Sequence, residues 1–83
     1  MTLQELLEVI DYDMPLVICG STRRIDNSIV ETSWIECCKD DFFQLQQYKK
    51  YHKFLKQEVV HIIESAQESG APCLEIDVKS IRE

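Results

Sequence analysis

Residues 40–70 contain neither glycine nor proline until the closing glycine itself. A run with no interruption leaves the rest of a short chain little freedom. Asp40 and Asp41 suit the first turn of a helix, where carboxylates meet free N–H groups and the positive end of the dipole, and Gly70 suits the left-handed stop. Between them Tyr48, His52, Leu55, Val59, Ile62 and Ala66 recur at spacings of four and three, one face of an α-helix, and Tyr51, Phe54 and Ile63 widen it. Gln46, Gln47, Lys49, Lys50, Lys53, Lys56, Gln57, Glu64, Gln67 and Glu68 occupy the other side. The pattern therefore predicts one long, half-buried helix rather than a membrane span. A kink near Tyr51, where aromatic residues give way to β-branched ones, stays open.

The chain has 83 residues, enough for a single domain over residues 1–83. A domain of this size buries only about 60% of the surface its unfolded chain exposes, so its stability is modest unless a second copy, a metal or a partner adds to it. Fifteen acidic residues against nine basic ones leave a net charge of −6. That balance argues against anionic membranes and makes direct nucleic-acid binding the lesser alternative, because both need cationic surface. It favours a protein partner with a basic surface. The opening residues mix acidic and apolar types and do not read as a signal peptide, so a cytoplasmic setting is expected, with its four cysteines reduced.

Residues 2–10 read as a short amphipathic helix: Thr2 with Glu5 makes a capping box, and Leu3, Leu6, Leu7 and Ile10 form the apolar face. The acidic turn Asp11-Tyr12-Asp13 ends it. After Pro15, Leu16-Val17-Ile18-Cys19 is dense in strand formers. Two hairpin registers follow. The strand can stop at Gly20 before a long polar loop, or it can run to Arg24 and turn through Ile25-Asp26-Asn27-Ser28. The second is preferred, because it sets Leu16 across from Cys37 and Ile18 across from Ile35 and leaves Val17, Cys19, Arg23, Thr32, Trp34 and Glu36 on the other face. Residues 72–78 alternate again, with Leu74, Ile76 and Val78 inward and Cys73, Glu75 and Asp77 outward, and residues 79–83 read as a polar tail. The expected class is α+β: short N-terminal helix, β-hairpin, long helix and third strand. The third strand lies beside the first in a three-stranded sheet, and both helices pack on its apolar face.

Four cysteines with His52 and His61 raise the question of zinc. No C-x-x-C pair exists, and Cys37 and Cys38, as strand neighbours, point to opposite faces, so reduced cysteines without a cofactor are expected. Cys38, Cys73 and His52 are the remaining zinc alternative, and only in another register. His52 lies on the packed stripe as a core histidine, Asp40 and Asp41 are capping residues, and Gly20 and Gly70 are too isolated for a phosphate-binding loop. No enzyme is read from this set. Lys49, Lys50, Lys53 and Lys56 alternate with aromatic residues, a pattern that can contact nucleic acid and that a solvated helix face explains as well. The more informative surface is the open side of the sheet. There Trp34, beside Val17 and bordered by Glu36, Glu75 and Asp77, makes an aromatic anchor with an acidic rim.

The opening Thr2-Leu3-Gln4-Glu5-Leu6-Leu7-Glu8-Val9-Ile10, the acidic turn and Leu16-Val17-Ile18 resemble small proteins encoded by bacterial phages and other mobile elements. In size, charge and element order the chain is similar to the small acidic α+β inhibitors of CRISPR effectors. That resemblance implies an inhibitor of a nucleic-acid-binding enzyme in the bacterial cytoplasm. It transfers no catalytic or binding motif, and the lysine-rich segment departs from a nucleic-acid mimic. The leading expectation is a non-enzymatic interaction module that presents Trp34 and carboxylates to a basic site. The alternatives are a homodimeric structural or accessory protein and a nucleic-acid binder using the four lysines.

Overall fold

The computed structural model describes residues 1–10 and 15–82, so the acidic turn at Asp11-Tyr12-Asp13 and the final Glu83 lie outside the described residues. Helix α1 covers Leu3–Val9 and opens with the expected capping box. Thr2 N–H donates to Glu5 Oε1 at 3.0 Å, and Glu5 N–H donates back to Thr2 Oγ1 at 3.2 Å. The Thr2 amide and hydroxyl, both donating to Glu5 Oε1, hold the Glu5 carboxyl below its ordinary pKa. Its buried residues are Leu3, Leu6 and Leu7.

Strands β1 (Leu16–Arg23) and β2 (Ile29–Cys37) form the preferred hairpin, with Leu16 opposite Cys37 and Ile18 opposite Ile35. The turn is tight. Asn27 N–H donates to Arg24 O at 2.9 Å, and Arg24 N–H donates to Ser28 O at 3.0 Å. Asn27 takes the left-handed φ of 70°, which asparagine tolerates better than most residues. Asp26 Oδ1 accepts from both the amide and the hydroxyl of Ser28, the local bond that fits aspartate to turns. The three-residue loop shifts the pairing between Thr22 and Arg23, as such loops commonly do by placing a bulge beside the turn.

Strand β4 (Pro72–Val78) runs parallel to β1, with Leu16 beside Leu74 and Ile18 beside Ile76, so the expected third strand lies beside the first. The long helix does not form. In its place come helix α2 (Lys39–Gln44), a 3-10 helix (Gln46–Lys56) and strand β3 (Val59–Ala66). Extended residues interrupt the run twice, at Leu45 (ψ 126°) and Gln57 (ψ 146°). Val59-Val60 and Ile62-Ile63 lose side-chain freedom in a helix and pack well on a pleated surface. Antiparallel pairing with β4 also satisfies their backbone. Gly70 has the expected left-handed φ, 86°, but it turns the β3–β4 hairpin, donating its N–H to Gln67 O at 2.8 Å. The polar tail is corrected as well, because Ile81–Arg82 form β5, parallel to β1 at Thr22 and Arg23. The sheet thus has five strands rather than three, in the order β2-β1-β4-β3 with β5 extending the β4 side of β1.

One face of the sheet meets the helices. Leu16, Ile18, Ile35, Cys37, Ile76 and Val78 join Leu3, Leu6 and Leu7 of α1, Phe42 of α2 and Phe54 of the 3-10 helix in a single buried cluster. With three residues per turn, a 3-10 helix stacks i, i+3 and i+6 in rows. Tyr48, Tyr51 and Phe54 make the inward row and Lys50, Lys53 and Lys56 the outward one. Phe54 closes over Gly20, where a Cβ would stand 2.7 Å from its ring. Tyr48 Oη donates to Glu36 O at 3.2 Å, and the Lys39 ammonium donates to Ile10 O. No helix among the described residues is long and apolar enough to cross a membrane.

Candidate functional site

The strand registers fix which side chains share the face turned away from the helices, since directly paired residues point the same way. One row reads Trp34, Cys19, Asp77 and His61 across β2, β1, β4 and β3. The next reads Glu36, Val17, Glu75 and Ile63. All five residues expected there, Val17, Trp34, Glu36, Glu75 and Asp77, therefore occupy one patch. Their environments differ. Trp34 is 58% exposed and Val17 only 7%; Glu36 is exposed, and Glu75 and Asp77 are half-buried. The surface is a shallow apolar floor at Val17, a standing indole on one side and two carboxylates on the other.

Those two carboxylates sit on the same face of β4, two residues apart. Burial, then the charge of Asp77, raises the Glu75 pKa above its ordinary value. Asp77 Oδ1 is buried with no hydrogen-bond partner among the described residues. Burial, then the charges of Asp77 and Glu75, push the Cys19 thiol up. Each of these two shifts disfavours the charged form of its group. A raised folded-state pKa stabilises the protein only while Glu75 is protonated, so the contribution is lost as pH rises through that value. Glu75→Gln is expected to raise the melting temperature at pH 7 by about 2 °C, a few tenths of a kcal/mol after solvent screening. It should leave the melt at pH 4 unchanged, and thermal scans at both pH values check this.

His61 and Ile63 were hidden from the sequence reading by the helix assigned to their segment. The paired β-branched residues Val59-Val60 and Ile62-Ile63 were the signal that could have placed them on a strand. The alternative lysines are all exposed on the 3-10 helix. Lys50 Nζ lies 4.8 Å from the Tyr51 ring centroid, and Lys53 Nζ lies 5.4 Å from that of Phe54. They belong to the helical layer and do not join the sheet patch.

Cys37 faces the core as expected, with its thiol pushed up to about 12 chiefly by burial. Cys73 occupies the outer face but is 2% exposed, and Cys38 is exposed at the N-cap of α2. His52 is in the helical layer, its Nε2 2.7 Å from Phe42 O and its ring against Phe42. The alternative zinc set Cys38, Cys73 and His52 is therefore not brought together, and no group of three or more potential ligands gathers among the described residues. A comparison with family models, curated proteins and solved structures finds no match to this chain.

Proposed function

We propose that the chain is a non-enzymatic protein-interaction module that docks a basic partner on the open face of its sheet. The observation that carries this reading is the row holding Trp34 and Asp77, on the face turned away from the described helices, with the indole 58% exposed beside the half-buried Asp77. Tryptophan anchors interfaces because it brings large apolar area at little entropic cost. The carboxylates add steering and orientation. In its narrower form the proposal makes that partner a nucleic-acid-binding enzyme of the bacterial cytoplasm, a CRISPR effector for instance, whose arginine-rich groove reads Glu36, Glu75 and Asp77 in place of phosphates.

The test begins with capture from a bacterial lysate on the wild-type chain, followed by titration of the captured protein. Trp34→Ala should weaken the dissociation constant about thirtyfold, roughly 2 kcal/mol. Raising salt from about 50 to 200 mM should weaken it further through screening. Equal affinity for the Trp34→Ala chain, or an affinity indifferent to salt, defeats the reading.

A second reading, homodimerisation, is favoured by β3. This edge strand exposes Val60, Ile62 and Ile63; beyond Val59, whose N–H donates to Met1 O, no further strand pairs with it among the described residues, the arrangement that recruits another strand. Light scattering on the isolated chain during the same work separates the two, since a monomer at high concentration removes the dimer.

A further inference from the structure

All three arginines of this acidic chain, Arg23, Arg24 and Arg82, converge at the hairpin end of the sheet. Arg23 and Arg82 are direct partners in the parallel pairing of β1 with β5. Their Cα atoms therefore stand on adjacent strands about 4.8 Å apart, with both side chains on the same face. Like charges directly opposite each other on a sheet destabilise it. No carboxylate among the described residues pairs with either arginine, because the sole ion pair there joins the Met1 ammonium to Glu58. The carboxylate of Asp77 lies on the same face as Arg23, but Asp77 pairs with Cys19. Four residues along β1 are roughly 13 Å, beyond the screening length at physiological salt.

The surroundings are built rather than loose. Arg23 Nε donates to Ser80 Oγ at 3.2 Å and its Nη1 to Asn27 O at 3.1 Å. Ser80 Oγ is also 2.7 Å from Ser21 Oγ. Arg82 Nη1 donates to Arg24 O at 3.5 Å. Two bonds hold the Arg23 guanidinium, Arg82 touches Arg24 O at the long limit of a hydrogen bond, and among the described residues both keep further N–H groups without an acceptor. Together with Lys79, Ser80 and Asn27 they line an open cavity of ≈ 260 Å³. That size suits a compact head group better than a whole drug-sized ligand.

We propose that this cavity is a binding site for the phosphate group of a small phosphomonoester, clamped between Arg23 and Arg82, with Lys79 and the Ser80 hydroxyl completing the shell. Two adjacent guanidinium forks match a tetrahedral dianion through several short charge-assisted bonds. The anion converts the repulsion between the two arginines into a shared attraction. The site does not depend on the docking role of Trp34, since it lies four residues further along β1 than Cys19, the partner of Trp34, and uses cations instead of carboxylates.

The test is calorimetric titration of the full chain with ribose 5-phosphate, inorganic phosphate and a single-stranded oligonucleotide, each at an ionic strength matched with chloride. The expected result is saturable one-to-one binding of the phosphomonoester, tighter at pH 8 than at pH 5.5, where the phosphate loses its second charge. Arg82→Gln should weaken it at least about tenfold, as expected when a charge-assisted pair is lost. Lys53→Gln, on the far layer, should leave it unchanged. Thermal scans add a signature that a structural role for arginine would not give. Phosphate should raise the melting temperature of the wild type and not that of Arg82→Gln, while the ligand-free Arg82→Gln chain melts no lower than the ligand-free wild type. If Arg82→Gln does not fold, Arg23→Lys serves instead, keeping the charge but removing the fork. No saturable binding, or binding untouched by these changes, overturns the proposal, and so does a preference for the oligonucleotide over the phosphomonoester.

Discussion

Phe54→Ala is expected to cost about 3–5 kcal/mol, the range for removing a buried aromatic ring whose site cannot collapse. The side chain is 1% exposed and lies in the shared cluster between the helical layer and the sheet. Its ring fills the space above Gly20, which has no side chain of its own to lend if the ring goes. The loss compares with the whole stability of many domains this small. Urea denaturation followed by circular dichroism should therefore show the variant largely unfolded in buffer or with its midpoint strongly lowered, and Phe54→Leu should recover part of the difference. A loss under about 1 kcal/mol would mean that the 3-10 helix does not pin the sheet as described. The fit is reciprocal. At Gly20 even one methyl would sit 2.7 Å from the ring, and overpacking of that kind typically costs about 1–3 kcal/mol.

The second large effect concerns reactivity. With its thiol pushed from 9.0 to about 12, Cys37 holds about a thousandfold less thiolate at pH 8 than an ordinary cysteine, each pH unit being a factor of ten. Cys38, its exposed neighbour, should take up iodoacetamide first, and Cys37 only as the chain unfolds. Mass spectrometry of a labelling time course, native against denatured, reads the ratio directly. Comparable native rates at the two positions would contradict the burial of Cys37. The same shift has a pH consequence with a definite sign. The neutral thiol stabilises the fold below the unfolded value of 9.0, and that stabilisation is lost as pH rises from there to about 12. Cys37→Val should remove this share of the alkaline decline in the denaturation midpoint.

What could be seen in the sequence was local and period-two. The capping box at Thr2 and Glu5 and the hairpin register through Leu16 and Cys37 each follow from a few neighbouring residues with one workable arrangement, and the place of β4 beside β1 follows from the order of the elements. Val17, Trp34 and Glu36 of the open face followed from that register, and Glu75 and Asp77 from the alternation of residues 72–78. Residues 40–70 escaped because spacings of four and three at Tyr48, His52, Leu55, Val59 and Ile62 satisfy an α-helix on paper, while the energetics are set by tertiary partners. Val59 and Ile62 gain pairing with β4 that a helix would forgo. The arginine cavity was equally hidden, since residues 23 and 82 meet only once the last residues join the sheet.

The 3-10 helix carries a consequence for how this segment can change over time. Its rows repeat every third position, so inserting or deleting a single residue between Tyr48 and Phe54 rotates everything beyond it by about 120°. Such a change would carry a lysine or a histidine into the aromatic seam and turn Phe54 outward. Lengths that differ by three are tolerated far better, and distant kin of this chain should preserve a triplet beat of aromatic and basic letters even where the letters themselves have drifted.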